Sequence, residues 1–149
     1  MPDVSFVIDE LFKLSNPSGD PFEGRIDESK VGVLGHSFGG STAMGMVAGW
    51  AGADADPRVD AIGVIAGGIG EDNFTQDTLS VVTEPTILLV GTLDPNALAN
   101  HRYAFDNMPM TEALFKVEVT DANHTHFANV CDIGNVLIGL GIEQDACGA

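Results

Sequence analysis

Apolar residues recur along this chain at two spacings, and the alternation between them lays out its elements. Over residues 3 to 14, Val4, Val7, Ile8, Leu11, Phe12 and Leu14 return at intervals that put them on one face, which predicts a helix capped by Asp3. Asn16-Pro17-Ser18-Gly19-Asp20-Pro21 breaks it, and a polar stretch runs on to Lys30. Val31-Gly32-Val33-Leu34-Gly35 is then a short apolar run without polar alternation, the pattern of a strand buried on both faces of a parallel sheet. Residues 41 to 50 are small or apolar and predict a close-packed helix; 52 to 60 predict a loop. The theme repeats with a strand at 61–66, a loop with one helical turn across 69–84, and a strand at 86–90 framed by Pro85 and Gly91. A helix over 97–108, an alternating strand at 113–119 nearer an edge, and a last helix over 128–140 weakened by Gly134 and Gly139 complete the series. Apolar strands alternating with helices predict an α/β fold of about four parallel strands with helices on both faces.

Length and composition narrow the class. The 149 residues, 44% of them hydrophobic and 19% charged, fit one packed domain spanning 1–149. Against 22 acidic residues stand 6 Lys plus Arg, a formal net charge of -16. Such a surface repels phosphate backbones and anionic lipid, so neither a nucleic-acid nor a membrane partner is expected. No run approaches the roughly 18 apolar residues of a membrane-spanning helix. Met1-Pro2-Asp3-Val4 lacks the basic region and apolar core of a signal peptide, so the expectation is a soluble chain without an export signal, cytoplasmic by default. Cys131 and Cys147 would close one loop in an oxidising compartment, worth about 3 kcal/mol, or stay as two thiols.

Chemistry enters at Gly35-His36-Ser37-Phe38-Gly39-Gly40, a Gly-x-Ser-x-Gly run between a buried strand and a helix of small residues. In that setting the turn holds the serine in a strained conformation with its hydroxyl aimed out of the sheet. Gly35 and Gly39 are expected to leave room for neighbouring backbone, and the Phe38 N–H, at the start of the helix, to face a developing oxyanion.

A serine hydroxyl attacks only when a histidine takes its proton and an acid orients that histidine. Asp94 follows the strand at 86–90 after Gly91-Thr92-Leu93 and is the first candidate acid; Asp121, also after a strand, is the second. In Asp121-Ala122-Asn123-His124-Thr125-His126-Phe127, either His124 or His126 could be the base. His101, inside a predicted helix, reads as a partly exposed helix histidine, and His36 as a support for the turn. A zinc site at His124 and His126 would need further ligands at suitable spacing.

Taken together, Gly-His-Ser-Phe-Gly-Gly, the strand-Gly-Thr-Leu-Asp element and the terminal His-x-x-Phe with a later cysteine resemble serine esterases of the α/β-hydrolase superfamily, in the branch of platelet-activating-factor acetylhydrolase-like and dienelactone-hydrolase-like proteins. The resemblance implies a partial or minimal α/β-hydrolase fold with Ser37 as nucleophile, Asp94 as acid and His124 as base, because His124 precedes Phe127 at the family's spacing. Phe38 would be the oxyanion donor, and His36, His126 and Phe127 candidate substrate contacts. A serine rather than a cysteine nucleophile favours ordinary ester cleavage.

The same resemblance implies that strands preceding residue 3 are lacking, among them the loop that usually gives the second oxyanion donor. Loss of one such donor costs about 100- to 1000-fold in turnover. The strand at 31–35 would then present an unpaired apolar edge, which implies a homodimer or higher homo-oligomer. The expected activity is hydrolysis of small short-acyl esters without metal or organic cofactor; the alternative is a catalytically weak unit that binds a ligand or a protein.

Overall fold

The computed structural model describes residues 1–16, 19–111 and 113–128. Cys131 and Cys147, and the predicted helix at 128–140 beyond its first residue, lie outside the described residues. Helix α1 spans Pro2–Ser15, with Pro2 in its first turn. Strand β1 (Val31–His36) leads into α2 (Phe38–Ala48), and β2 (Val59–Ile65) is followed by the short helix α3 (Gln76–Leu79). Strand β3 (Thr86–Gly91), helix α4 (Pro95–Asn107), strand β4 (Leu114–Val119) and a 3-10 turn at His124–Phe127 complete the described chain. Each strand lies within two residues of its predicted span. Among the described residues no helix is long and apolar enough to cross a membrane.

The strands form one parallel sheet in the order β1-β2-β3-β4. Parallel neighbours need a crossover, and the helices supply it. One core cluster joins Met44 and Met46 of α2, Ile8 of α1 and Ala104 of α4 to the inward strand residues Ile62, Val64, Leu88 and Leu114. Pairing sets Val33 beside Ile62 and Leu34 beside Gly63, so alternate residues divide between that covered face and the opposite one. On the opposite face Leu34 is 69% exposed, and Ile87, Phe115 and Val117 are exposed too. The apolar strands predicted burial on both faces; among the described residues, α1, α2 and α4 all contribute to the core on one. Strand β1 is also an edge of the sheet as described.

At the amino ends of the strands, Asp56 ties the layers together. It accepts from Arg58 Nε at 2.8 Å and Nη2 at 2.6 Å, from the Arg58 N–H at 3.1 Å and from Ser5 Oγ of α1 at 2.7 Å. The Arg58 hydrogen bonds outweigh burial and hold the Asp56 carboxyl well below the usual carboxylate range.

Candidate active site

Ser37 sits at the carboxyl end of β1 with φ 57° and ψ −122°, a backbone region that non-glycine residues rarely occupy. The strain is fixed from both sides. The Ser37 N–H donates to the Ile65 carbonyl at 2.8 Å, and its own carbonyl accepts from the Gly40 and Ser41 N–H groups at 2.9 and 3.2 Å. A Cβ at residue 35 would stand 2.0 Å from the Gly39 carbonyl oxygen, and one at residue 40 would stand 3.0 Å from Gly67 Cα. At residue 39 a Cβ would meet nothing within 4 Å. The tight approaches are therefore at Gly35 and Gly40, which corrects the steric role expected of Gly39. Phe38 begins α2, so its N–H has no acceptor within the helix and stands beside Ser37.

Asp94 lies three residues beyond β3 and performs two tasks with its two oxygens. Oδ1 caps α4 by accepting from the Ala97 N–H at 3.2 Å, while Oδ2 lies 2.6 Å from His124 Nδ1. His124 opens the 3-10 turn, which Asn123 caps by accepting from the Thr125 N–H at 3.0 Å. The other His124 ring nitrogen, Nε2, lies 2.8 Å from Ser37 Oγ. Hydrogen bonds in this order put the ring proton on Nδ1 and leave Nε2 to accept from the serine. His124 keeps 42% of its side chain exposed and Asp94 only 11%, so the acid is sheltered and the imidazole reaches an open surface.

Ser37, Asp94 and His124, singled out in the sequence, thus converge. The two alternatives do not. Asp121 is exposed in a turn with φ 59°, and His126 Nδ1 accepts from the Asn123 N–H at 3.1 Å.

The three candidate substrate contacts lie elsewhere than the cleft wall. His36 donates from Nε2 to the His124 carbonyl at 2.8 Å, the two rings 4.9 Å apart, so it steadies the backbone of His124. His126 is occupied in capping the 3-10 turn, and Phe127 anchors that turn by packing with Ala66, Val90 and Ala97.

The cleft beside Ser37 has a volume of about 460 Å³, and its wall includes Ser41, Trp50, Asn73, Asn96 and Asn100. These five went unrecognised in the sequence. Asn96 and Asn100 share the cleft side of α4, a spacing visible in the sequence once Asp94 is placed at that helix's start.

His101 departs most from expectation. It is 0% exposed, and its Nε2 accepts from the Gly67 N–H at 3.0 Å. Burial pushes its pKa down to about 4, with the charge of Asp94 acting weakly the other way, so the ring is neutral. It holds the Gly67-Gly68 corner, whose residues line the cleft, against α4.

No family model matches the sequence, and no curated protein matches it. Solved structures do. The chain is similar to dienelactone hydrolase from Anabaena variabilis, at 20% identity and a TM-score of 0.56 over 89% of this chain and 54% of that one. It is also similar to 2,6-dihydroxy-pseudo-oxynicotine hydrolase, at 24% identity and a TM-score of 0.61 over 81% of this chain and 39% of that one. A third likeness is monoacylglycerol lipase from Paleococcus ferrophilus, at 12% identity and a TM-score of 0.61 over 95% of this chain and 72% of that one. The chain thus spans about half or less of the first two structures.

Proposed function

The chain has a partial α/β-hydrolase fold, and from that premise we propose that it is a carboxylic-ester hydrolase for small, short-acyl esters, working through an acyl-enzyme on Ser37. The observation that carries the reading is the unbroken line from Ser37 Oγ to His124 Nε2, at 2.8 Å, and from His124 Nδ1 to Asp94 Oδ2, at 2.6 Å, beside an open cleft.

His124 Nε2 takes the hydroxyl proton as Ser37 Oγ attacks the ester carbonyl. Asp94 accepts from Nδ1–H throughout and stabilises the imidazolium that forms. Negative charge on the former carbonyl oxygen is met by the Phe38 N–H and the positive end of α2. As the tetrahedral intermediate collapses, the carbon–oxygen bond to the alcohol breaks and Nε2–H gives its proton to the departing oxygen. Water then enters, loses a proton to Nε2 and releases the acid, restoring the serine hydroxyl. The structural neighbours named above as hydrolases and a lipase support the same reaction class.

Hydrolysis of p-nitrophenyl acetate and butyrate by the wild type and Ser37→Ala tests the proposal. It expects turnover by the wild type and loss on the order of 10⁴-fold in the variant. Equal rates would refute Ser37 as nucleophile.

A further inference from the structure

Phe38 and Trp50 line the cleft beside Ser37, and both also line a second hollow of about 520 Å³ on their far side. The two spaces differ in chemistry. Asn73, Asn96, Asn100 and Ser41 line the first, with the Ser41 hydroxyl and the Asn73 amide each donating to the Gly68 carbonyl, at 3.2 and 2.9 Å. The second is bounded by Met1, Pro2, Thr42 and the 51–53 turn. Thr42 is its polar side chain, and that hydroxyl is already donated to the Phe38 carbonyl at 3.0 Å.

The ridge between the spaces is built firmly. Trp50 stacks on the buried Phe74 with ring centres 5.7 Å apart, and Phe38 leans on Trp50 at 5.5 Å with the planes tilted by 56°. A tight turn fixes Trp50 in place: its N–H donates to the Ala53 carbonyl at 2.9 Å, and the Ala53 N–H returns to the Trp50 carbonyl at 3.0 Å. Gly45 makes room behind it, since a Cβ there would stand 2.9 Å from Trp50 Cβ and 2.7 Å from Met1 Sδ. Yet the Phe38 side of this ladder is open, with the residue 74% exposed immediately after the nucleophile. Among the described residues an aromatic ring is exposed one residue from Ser37 and tilted over a fixed indole, a geometry that suits edge-to-face contact with another ring.

Resting on the ester-hydrolase reading, we infer that the Phe38–Trp50 hollow receives the aromatic half of the substrate, so that the substrate class is a short ester with one aryl-bearing and one small polar half. The ring could arrive on the alcohol or on the acyl side.

Initial rates with ethyl acetate, benzyl acetate and ethyl phenylacetate separate those sources, all three having primary alcohols and not phenols as leaving groups. One ring-bearing ester should exceed ethyl acetate by about tenfold or more in kcat/KM, chiefly through KM. That preference should fall to within about twofold in Trp50→Ala and, as a variant that leaves the Trp50–Phe74 stack in place, in Thr42→Phe, which fills the hollow.

Trp50 is the sole tryptophan of the chain, so its fluorescence reads occupancy without turnover. Benzyl alcohol should give a saturable change in Ser37→Ala that ethanol does not. Saturable binding of benzyl alcohol with no hydrolysis of any ester would uphold the aromatic site and defeat the hydrolase reading. Ester hydrolysis without ring preference and without a saturable signal would uphold the hydrolase and overturn the site. A ring preference that survives both hollow variants would overturn it as well.

Discussion

Two aspartates stand at opposite ends of the same parallel sheet and are built alike at first sight. Asp56 precedes β2 and accepts from the Arg58 backbone N–H at 3.1 Å; Asp94 follows β3 and accepts from the Ala97 backbone N–H at 3.2 Å. Each then takes one nitrogen-bearing side chain on its remaining capacity. At Asp56 that partner is a guanidinium, which stays charged at any working pH, and Ser5 fills the carboxylate further. The result is a closed brace between α1 and the sheet. At Asp94 the partner is an imidazole whose second nitrogen reaches Ser37 Oγ, and the result is a chain along which a proton can move. A similar backbone contact thus leaves one carboxylate as scaffold and the other suited to chemistry, according to whether its partner can give up a proton and whether the far side is open to a cleft.

The largest effect should come from disturbing the transferable end. Asp94→Asn keeps the shape and the cap but favours the wrong His124 tautomer, and turnover of a short-acyl ester should fall about 10³- to 10⁴-fold. A loss below about tenfold would place the acid elsewhere.

Next in size is the packing around the nucleophile. Gly35→Ala drives a methyl into the Gly39 carbonyl and should cost more than about 4 kcal/mol or prevent folding, whereas Gly39→Ala should stay within about 1 kcal/mol of wild type in urea unfolding. Equal sensitivity at the two positions would contradict the close approach at Gly35.

His101 lies between the two ends in kind: a buried neutral histidine near Asp94, its Nε2 occupied by the Gly67 N–H and its Nδ1 proton facing no acceptor among the described residues. Between the ordinary histidine pKa and about 4, the unfolded chain takes up a proton that the folded chain refuses. Its contribution is thus full above pH 6.5 and falls as pH drops through that window, by on the order of 3 kcal/mol. His101→Gln, which offers an oxygen to the Gly67 N–H without titrating, should flatten that part of the stability profile. An unchanged slope in the variant would show that His101 is not its source.

The brace should give a smaller and purely structural effect. Asp56→Ala removes one of the two carboxylate partners of a partly buried guanidinium, leaving Asp9, and should cost about 2 kcal/mol of stability, with activity per folded molecule unchanged. A fall in activity without a fall in stability would mean that the two ends of the sheet are coupled.

Much of this was legible in the sequence because local pattern and tertiary role agree. The apolar runs at 31–35 and 86–90 are bounded by glycine or proline and begin and end within a residue of β1 and β3. Ser37 stood out by its flanking glycines and Asp94 by its place after a strand; His124 was separated from His126 only by the family resemblance, whose spacing to Phe127 the structure explains as the anchor of the 3-10 turn.

Other features were hidden for a physical reason. Helix α2 begins at Phe38, not 41, because the elbow forces the helix to start across Gly39 and Gly40, residues of low helix propensity. Asn73, Asn96 and Asn100 meet at the cleft from two separate stretches of chain, so no local spacing unites them. The neutral state of His101 arises from burial under the Gly67 corner, which only the folded chain creates. Leu34 and Phe115 look like core in the sequence because hydrophobicity reports what could be buried and not what covers it.

Labelling with a fluorophosphonate probe tests most directly whether Ser37 is activated by His124 and Asp94. Stoichiometric modification at Ser37 in the wild type, with labelling slowed at least about 100-fold in His124→Ala, is the predicted result. An unlabelled Ser37 in the folded wild type, or equal labelling rates in both proteins, would contradict an activated serine and leave a ligand-binding α/β unit in its place.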